Sequence, residues 1–387
     1  MGAPVKDLAP PAQWERLQSR LFAPLAARPA GPGRSRHRPA ALGMLSALAV
    51  SLPFISLHIP WLLPGTVDMV SAAGTLQVLG LCFVFATMAL GYDVMFGFTG
   101  LLSFGQALYF AEGAYVFDIA LSDWHWALLP ALALTFSVGA VLAAGLGAIS
   151  LRVSGIAFAM VTLAFAQAGY YLIQDNPHNL TGGDTGLVLV TSRLPSLLVG
   201  VANTRDLYWL ALGCLALAWA AARWLTSSQL GRLWLAIREN ERRLEALGFS
   251  PFPFKLASFT LGSLLAVAAG VVYVLLVGTV EPSSVASTTV TVSVLVMVVL
   301  GGTGRRWGAV VGAFSYVYLE QLLLKIAAEP SFSSLPPVLR DPLSQPDFLL
   351  GAIFVLFVLF APGGLTGLAE RAYKAVGGGL EARRAPS

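Results

Sequence analysis

"FGFTGLLSFGQALYFAEGAY", Phe96 to Tyr115, sets Gly97, Gly100, Gly105 and Gly113 among apolar residues, with Thr99, Ser103, Gln106 and Glu112 as its polar members. So many glycines in a greasy run allow two readings. Small residues let helices pack closely in a bilayer. Glycine also lets a membrane helix break, so that backbone groups meet a pathway near the midplane, where discontinuous helices bind substrate. On the second reading Gly97, Thr99, Gly100, Ser103, Gly105, Gln106 and Glu112 line a translocation path.

The rest of the chain is of the same kind. Its 387 residues are 56% hydrophobic and 11% charged, with a mean hydropathy of +0.74. A soluble domain carries about 25% charged residues. The composition therefore predicts an all-α, polytopic transmembrane bundle. Apolar runs place spans near 41–63, 72–96, 101–121, 126–148, 155–174, 207–226, 256–279, 290–302, 308–328 and 347–362, which gives eight to ten crossings. The run at 101–121 is interrupted by glycine, and 290–302 is short for a hydrocarbon core of roughly 30 Å. A second Gly-interrupted stretch, "VVLGGTGRRWGAVVGA" from Val298 to Ala313, falls in the other half of the chain, as an inverted repeat would place it.

Charge orients these spans. With the amino terminus inside, 20 of the 24 Lys and Arg residues fall on the inner side, so both termini are expected in the cytoplasm. Residues 1–40 read as a basic, Pro- and Arg-rich disordered cytoplasmic tail, 41–368 as the transmembrane domain with a cytoplasmic loop at 227–255, and 369–387 as a second cytoplasmic tail. Trp61, Trp124, Trp126, Trp224 and Trp307 sit near span ends, as an aromatic belt would. The outer loop is longest at 175–206 and holds the turn-rich "DNPHNLTGGDTGL".

Several chemistries are excluded. No phosphate-binding G-x-x-x-x-G-K-[ST] run is present, so any ATP-driven motor must be another polypeptide. Cys82 and Cys214 lie far apart in apolar runs, and His37, His58, His125 and His178 show no ligand spacing, so no metal and no cofactor is expected. The basic residues are scattered through loops rather than gathered with aromatics, which speaks against nucleic acid. The chain reads as a transporter and not an enzyme. Glu112, Asp93 and Glu320 lie at or near membrane depth, where an ionisable group costs at least about 2.5 kcal/mol, so a proton-coupled carrier built on them is an alternative, and a channel a third.

One stretch departs from this composition. "GRLWLAIRENERRLEALGFSP", Gly231 to Pro251, holds seven charged residues. Its apolar residues recur at three- and four-residue spacing, which predicts an amphipathic helix with Glu239 facing Arg242 and Arg243, ended by Gly248 and stopped by Pro251. Such a helix either lies on cytoplasmic lipid headgroups through Trp234 and its arginines, or docks a soluble partner, which better explains its glutamates.

Together, "TGLLSFGQALYFAEGAY", "LRVSGIAFAMVTLAFAQ" at Leu151–Gln167, "LTGGDTGL" at Leu180–Leu187, the island and "MVVLGGTGRRWGAVVGA" resemble, in this order, one of the two non-identical permeases of ABC importers for branched-chain amino acids. The resemblance runs from about residue 91 to 368. It implies a homologous permease, two ABC ATPase subunits, an extracytoplasmic solute-binding protein and membrane lipid as partners, in a bacterial inner membrane. It also implies an outer-loop element at Thr181, Gly182 and Gly183, and ATPase coupling through Gly231, Arg238, Glu239, Glu245, Ala246 and Gly248. Gln106 stands where many relatives have His, and the Arg-rich tail before Arg38 has no counterpart. The departure at Gln106 leaves open urea, short amides or other small carboxylates as the solute.

Overall fold

The computed structural model describes residues 73–190, 203–327, 346–360 and 363–368, so the expected span at 41–63, both tails and Trp61 lie outside the described residues. The first long helix, α1 (Ala73–Asp93), runs into a π-helical turn at Val94–Thr99 and stops at Gly100. After five irregular residues come α2 (Gln106–Ser122), α3 (Leu128–Ser150) and α4 (Ile156–Gln174). The second half holds α5 (Thr204–Ser227), α6 (Gln229–Ala246), α7 (Pro251–Val277), the short α8 (Pro282–Val285), α9 (Thr288–Gly301), α10 (Arg306–Ala327) and α11 (Pro346–Phe360). Two two-residue strands, β1 (Leu187–Val188) and β2 (Thr279–Val280), pair antiparallel.

Among the described residues, seven helical segments are long and apolar enough to cross a bilayer, and the fold is the expected all-α polytopic bundle. Two boundaries differ from the sequence expectation. The run at 101–121 begins its helix only at Gln106, because the glycines before it are unwound. The short run at 290–302 is extended backwards through α8, so that the apolar segment spans Pro282–Gly301 over 20 residues. Pro282 suits the first turn of a helix, where its missing N–H costs nothing.

Helices α1, α2 and α7 form the centre: α2 packs chiefly on α7, and α1 on α5, α7 and α10. Small residues make this possible. A Cβ on Gly91 would lie 2.5 Å from the carbonyl oxygen of Gly262, and one on Gly262 would lie 2.6 Å from that of Gly91, so α1 and α7 touch backbone to backbone. Helix α3 buries Ala131, Thr135, Gly139, Ala143, Gly147 and Ser150, a stripe of small residues packed against α2 and α7. The rest of α3 is largely exposed apolar surface of the kind that lipid or another membrane subunit covers.

The connections gather at two ends. At one, the end of α1, the α5–α6–α7 turns and the α9–α10 turn meet, tied by Gly304 N–H to Asp93 Oδ1 at 2.7 Å and Arg306 Nη1 to Thr226 Oγ1 at 3.1 Å. At the other, the loop after α4 joins the α2–α3 turn and β2, through Val190 N–H to Ser122 Oγ at 3.1 Å and the Leu187–Val280 pairing. Trp124 and Trp126 are exposed at this second end, and Trp224 and Trp307 at the first.

Gly262→Val is expected to force α1 and α7 apart. Overpacking of this kind costs about 1–3 kcal/mol. The variant should melt at lower temperature than wild type in detergent, and Gly213→Val, where nothing lies within 4 Å of the added carbon, should melt much closer to wild type.

Candidate functional site

A break inside a membrane bundle leaves backbone groups that water cannot reach. Here several of these groups find side chains from other helices. Phe104 N–H donates to Thr162 Oγ1 of α4 at 3.0 Å, and Ala107 N–H to Thr291 Oγ1 of α9 at 2.9 Å. Gly105 N–H donates to Ser103 Oγ at 3.1 Å. Thr99 Oγ1 meets Ser258 Oγ of α7 at 2.6 Å, and Ser258 Oγ also donates to Val94 O at 3.2 Å. Gln106 Nε2 donates to Gly262 O at 3.2 Å. Gly100 has φ +82°, a left-handed conformation, and a Cβ there would sit 3.2 Å from Arg238 Cγ. The positive φ favours glycine at that corner, and a side chain there would also have to displace that of Arg238.

The two Gly-rich stretches meet. An added carbon on Gly97 would fall 2.5 Å from Gly304 N, and one on Gly304 3.0 Å from Gly97 O. Asp93 bonds Gly304, and Arg238 Nη1 of α6 donates to Gly97 O. Burial lowers the pKa of Arg238, and the charge of Asp93 opposes that shift.

Helix α6 departs from the sequence expectation in three ways. Trp234 does not lie among headgroups. It is fully buried against Val94, Phe98, Ala222 and Leu225, and its Nε1 donates to Phe254 O at 2.8 Å. The helix is not continuous either. Asn240 is extended (φ −163°, ψ 98°), and its Oδ1 accepts Arg243 N–H at 3.0 Å, capping a second helical segment. Glu239 therefore stands before the break and Arg242 and Arg243 after it, off the single helical face that was to align them. Arg238, expected on the partner-facing side, turns inward to Gly97. Gly231 is buried where a side chain would strike the backbone of Thr226, which fixes the sharp turn from α5.

Beyond the break the surface is exposed: Glu245, Ala246, Leu247 (70%), Gly248 and Phe249 (47%) face outward. Gly248, with φ +88°, closes α6 as expected. Phe249 N–H reaches Leu244 O at 3.3 Å and Gly248 N–H reaches Glu245 O at 2.9 Å, the paired bonds of a Schellman ending.

Between the unwound segment, the α3–α4 turn, the start of α4 and α6 lies a cavity of about 510 Å³. Thr99, Gly100, Leu101, Leu102 and Phe104 form one wall, Leu151, Val153 to Ile156, Phe158 to Met160 and Leu163 a second, and Ile237, Arg238, Glu241 and Lys255 a third. Glu241, which interrupts the apolar pattern of the island, pairs through Oε1 with Lys255 Nζ.

Of the residues expected along a path, the structure brings Thr99 and Gly100 to this cavity, while Gly97, Ser103, Gly105 and Gln106 hold the surrounding backbone. Glu112 lies apart, six residues into α2, buried beside Gly139 of α3. The Thr181–Gly183 element is at the opposite end of the bundle. There Asn176 Oδ1 accepts Thr181 N–H at 2.9 Å and Gly182 N–H at 3.1 Å, and Gly182 and Gly183 take positive φ. Sequence reading missed Asn240, the Glu241–Lys255 pair and the hydroxyls of Thr162, Ser258 and Thr291. Only Asn240 carried a local signal, as an asparagine inside a helical pattern.

This is a multi-pass membrane bundle whose broken helix meets an anchored, charged surface helix. The chain belongs to the family of permease components of branched-chain amino acid transport systems, whose profile matches residues 74–358. It is 28% identical to the high-affinity branched-chain amino acid transport system permease protein LivM of Escherichia coli, covering 98% of this chain and 86% of the relative. The protein of the same name from Salmonella typhimurium is also 28% identical, over 76% of this chain and 70% of that one. A probable branched-chain amino acid transport permease protein LivM of Methanocaldococcus jannaschii is 25% identical over 53% of this chain and 58% of its own length. No solved structure matches the chain.

Removing the tie between α6 and the broken helix should loosen the break. A hydrogen bond from a charged donor contributes about 1.5–3 kcal/mol, so in Arg238→Met the amides of Gly100 and Leu101 are expected to exchange with solvent roughly tenfold faster or more. Hydrogen exchange read by mass spectrometry checks this, and unchanged exchange there would mean that the tie contributes nothing.

Proposed function

We propose that this chain forms, with a homologous permease, the translocation path of an ABC importer for a branched-chain or related small amino acid. Two separate ATPase subunits drive it, and an extracytoplasmic binding protein delivers the solute. The chain performs no covalent chemistry. On this reading the protein lies in a bacterial cytoplasmic membrane with the α6 end and both termini inside, which the distribution of Lys and Arg supports. Family membership supports the permease assignment, and the names of the relatives support the solute class.

The observation that carries the coupling role is the division of α6. Its first segment is locked to the bundle by Trp234 and Arg238. Its second, from Asn240 to Phe249, presents Glu245, Ala246, Leu247, Gly248 and Phe249 to solvent on a defined Schellman turn. A helix resting on lipid would bury Trp234 in headgroups rather than in protein. We assign the exposed segment, with Glu239 just before the break, to the ATPase. Gly231 and Arg238 act from inside, as the turn and the tie that hold it. The proton-carrier reading has less support: Asp93 is bonded to the Gly304 amide at the α6 end, and Glu112 faces Gly139 between α2, α3 and α7.

Gly248→Val and Glu245→Arg test the assignment. A β-branched residue adopts the left-handed conformation at a cost of about 1–2 kcal/mol, and a like-charge contact at an interface costs several kcal/mol. Both variants should insert normally yet lose most ATP-driven uptake and co-purify with less ATPase, while the binding protein's affinity for solute is unchanged. Normal uptake with normal ATPase recovery in both variants would remove the coupling role.

A further inference from the structure

The cavity beside α6 opens on the flank of the bundle. Ile156 and Met160 of α4 line it and are 84% and 62% exposed, and Leu102 and Phe104 of the broken stretch beside them are half-buried. We propose that the homologous permease seats on this flank, against the broken stretch and the exposed face of α4, so that the cavity opens into a path enclosed between two chains. This rests on the importer reading above and adds the face on which that partner docks.

The backbone carries the assignment. Phe104 and Ala107 give their N–H groups to hydroxyls of α4 and α9, but among the described residues nothing donates to the carbonyl oxygens of Leu101, Leu102, Ser103 or Phe104. The stretch runs deep into the bundle: Gln106, next along, bonds Gly262 in the middle of α7, and Ala107 meets Thr291 in the middle of the Pro282–Gly301 segment. Irregular backbone at such depth is tolerated only where it is buried in protein or lines a water-filled space, and lipid provides neither. A wet cleft that opens sideways there needs a second membrane protein to close it. Helix α3 makes no such demand. Its exposed Leu129, Phe136, Val141 and Ile149 stand on a regular helix whose backbone bonds are internal, so lipid can cover them.

The face of α4 then defines the partner. Of its 19 residues only Phe158, Ala159, Thr162 and Ala166 are buried, while Ala157, Met160, Ala164, Ala168 and Tyr171 are exposed at three- and four-residue spacing. Ala164 and Ala168, one turn apart, let another helix approach closely. No charged residue lies between Arg152 and Asp175, so the surface suits an apolar helix within the membrane. A partner that docks from the water reaches only the ends of the bundle. A homologous permease reaches this flank, and in a two-fold arrangement it presents the corresponding face of its own. Each chain then covers the other's unwound backbone, and the two clefts share one space.

The test uses the assembled importer in its own membrane, with the photocrosslinking residue benzoylphenylalanine in place of Met160 or, on the control face of α3, of Val141, which is 72% exposed. Light should join the Met160 position to the homologous permease, identified by an epitope tag, and the Val141 position should give no such product. Ala164→Trp, a change on an exposed helix surface, should leave the chain's insertion and its melting in detergent as in wild type, yet lower recovery of the partner permease about tenfold or more. Val141→Trp should recover the partner normally. Crosslinking to the permease from Val141 and not from Met160, or from neither in an importer that still takes up solute, overturns the docking face and leaves the importer reading intact. A Met160 product that joins two copies of this chain overturns the choice of partner. ATP-driven uptake in cells that lack any homologous permease overturns the importer reading as well.

Discussion

A membrane helix that stops short inside a bundle exposes amides and carbonyls that hydrocarbon cannot satisfy, each costing several kcal/mol if left alone. The break between α1 and α2 is organised by that constraint. Several of its backbone groups are taken by Thr162 from α4, Ser258 from α7, Thr291 from α9 and Arg238 from α6, and Gln106 at the start of α2 bonds back to Gly262. Four helices are thereby fixed to one short stretch of chain. The glycines nearby follow from the same constraint, since Gly97 meets Gly304, and Gly100 meets Arg238, at distances that admit no side chain without displacement.

This arrangement links the surface of the bundle to its interior. Helix α6 would otherwise be a loop connecting α5 to α7. Trp234 and Arg238 make its first half part of the core, and Asn240 frees its second half to turn outward. On the proposed reading, a force applied at Leu247 or Phe249 would reach the broken stretch through the first half of α6, which Trp234 and Arg238 hold to the bundle. The cavity lies along this route, with one wall from the break and another from α6.

Much of this was legible in the residues. The apolar runs marked the helices, and the glycines of the Phe96–Tyr115 stretch marked either close packing or an interruption, of which the structure has both: Gly113 packs against the backbone of Val267, and Gly100 takes a positive φ at the break. Gly248 was readable as a helix ending for the same reason. What was not legible depends on partners distant in sequence. An amphipathic pattern records that Trp234 has an apolar neighbour, without saying whether that neighbour is lipid or Phe98. The extended Asn240 is invisible to periodicity, since helical spacing resumes on either side of it. Thr162 and Thr291 look like ordinary membrane hydroxyls until the break is folded against them, and Glu241 looked like a flaw in a helix face until Lys255 was beside it.

The central claim is that the state of an external motor reaches the broken helix through α6. Leu102 lines the cavity on the broken stretch, and Cys82 and Cys214 are the free cysteines to be replaced first. In inside-out vesicles carrying the assembled transporter, the rate of maleimide labelling of Leu102→Cys should fall about tenfold or more when the ATPases are trapped with ATP and vanadate, a change of roughly 1.4 kcal/mol in accessibility. The fall should disappear when Arg238→Met is added. Equal labelling rates in the nucleotide-free and trapped states, with Arg238 in place, would contradict the account.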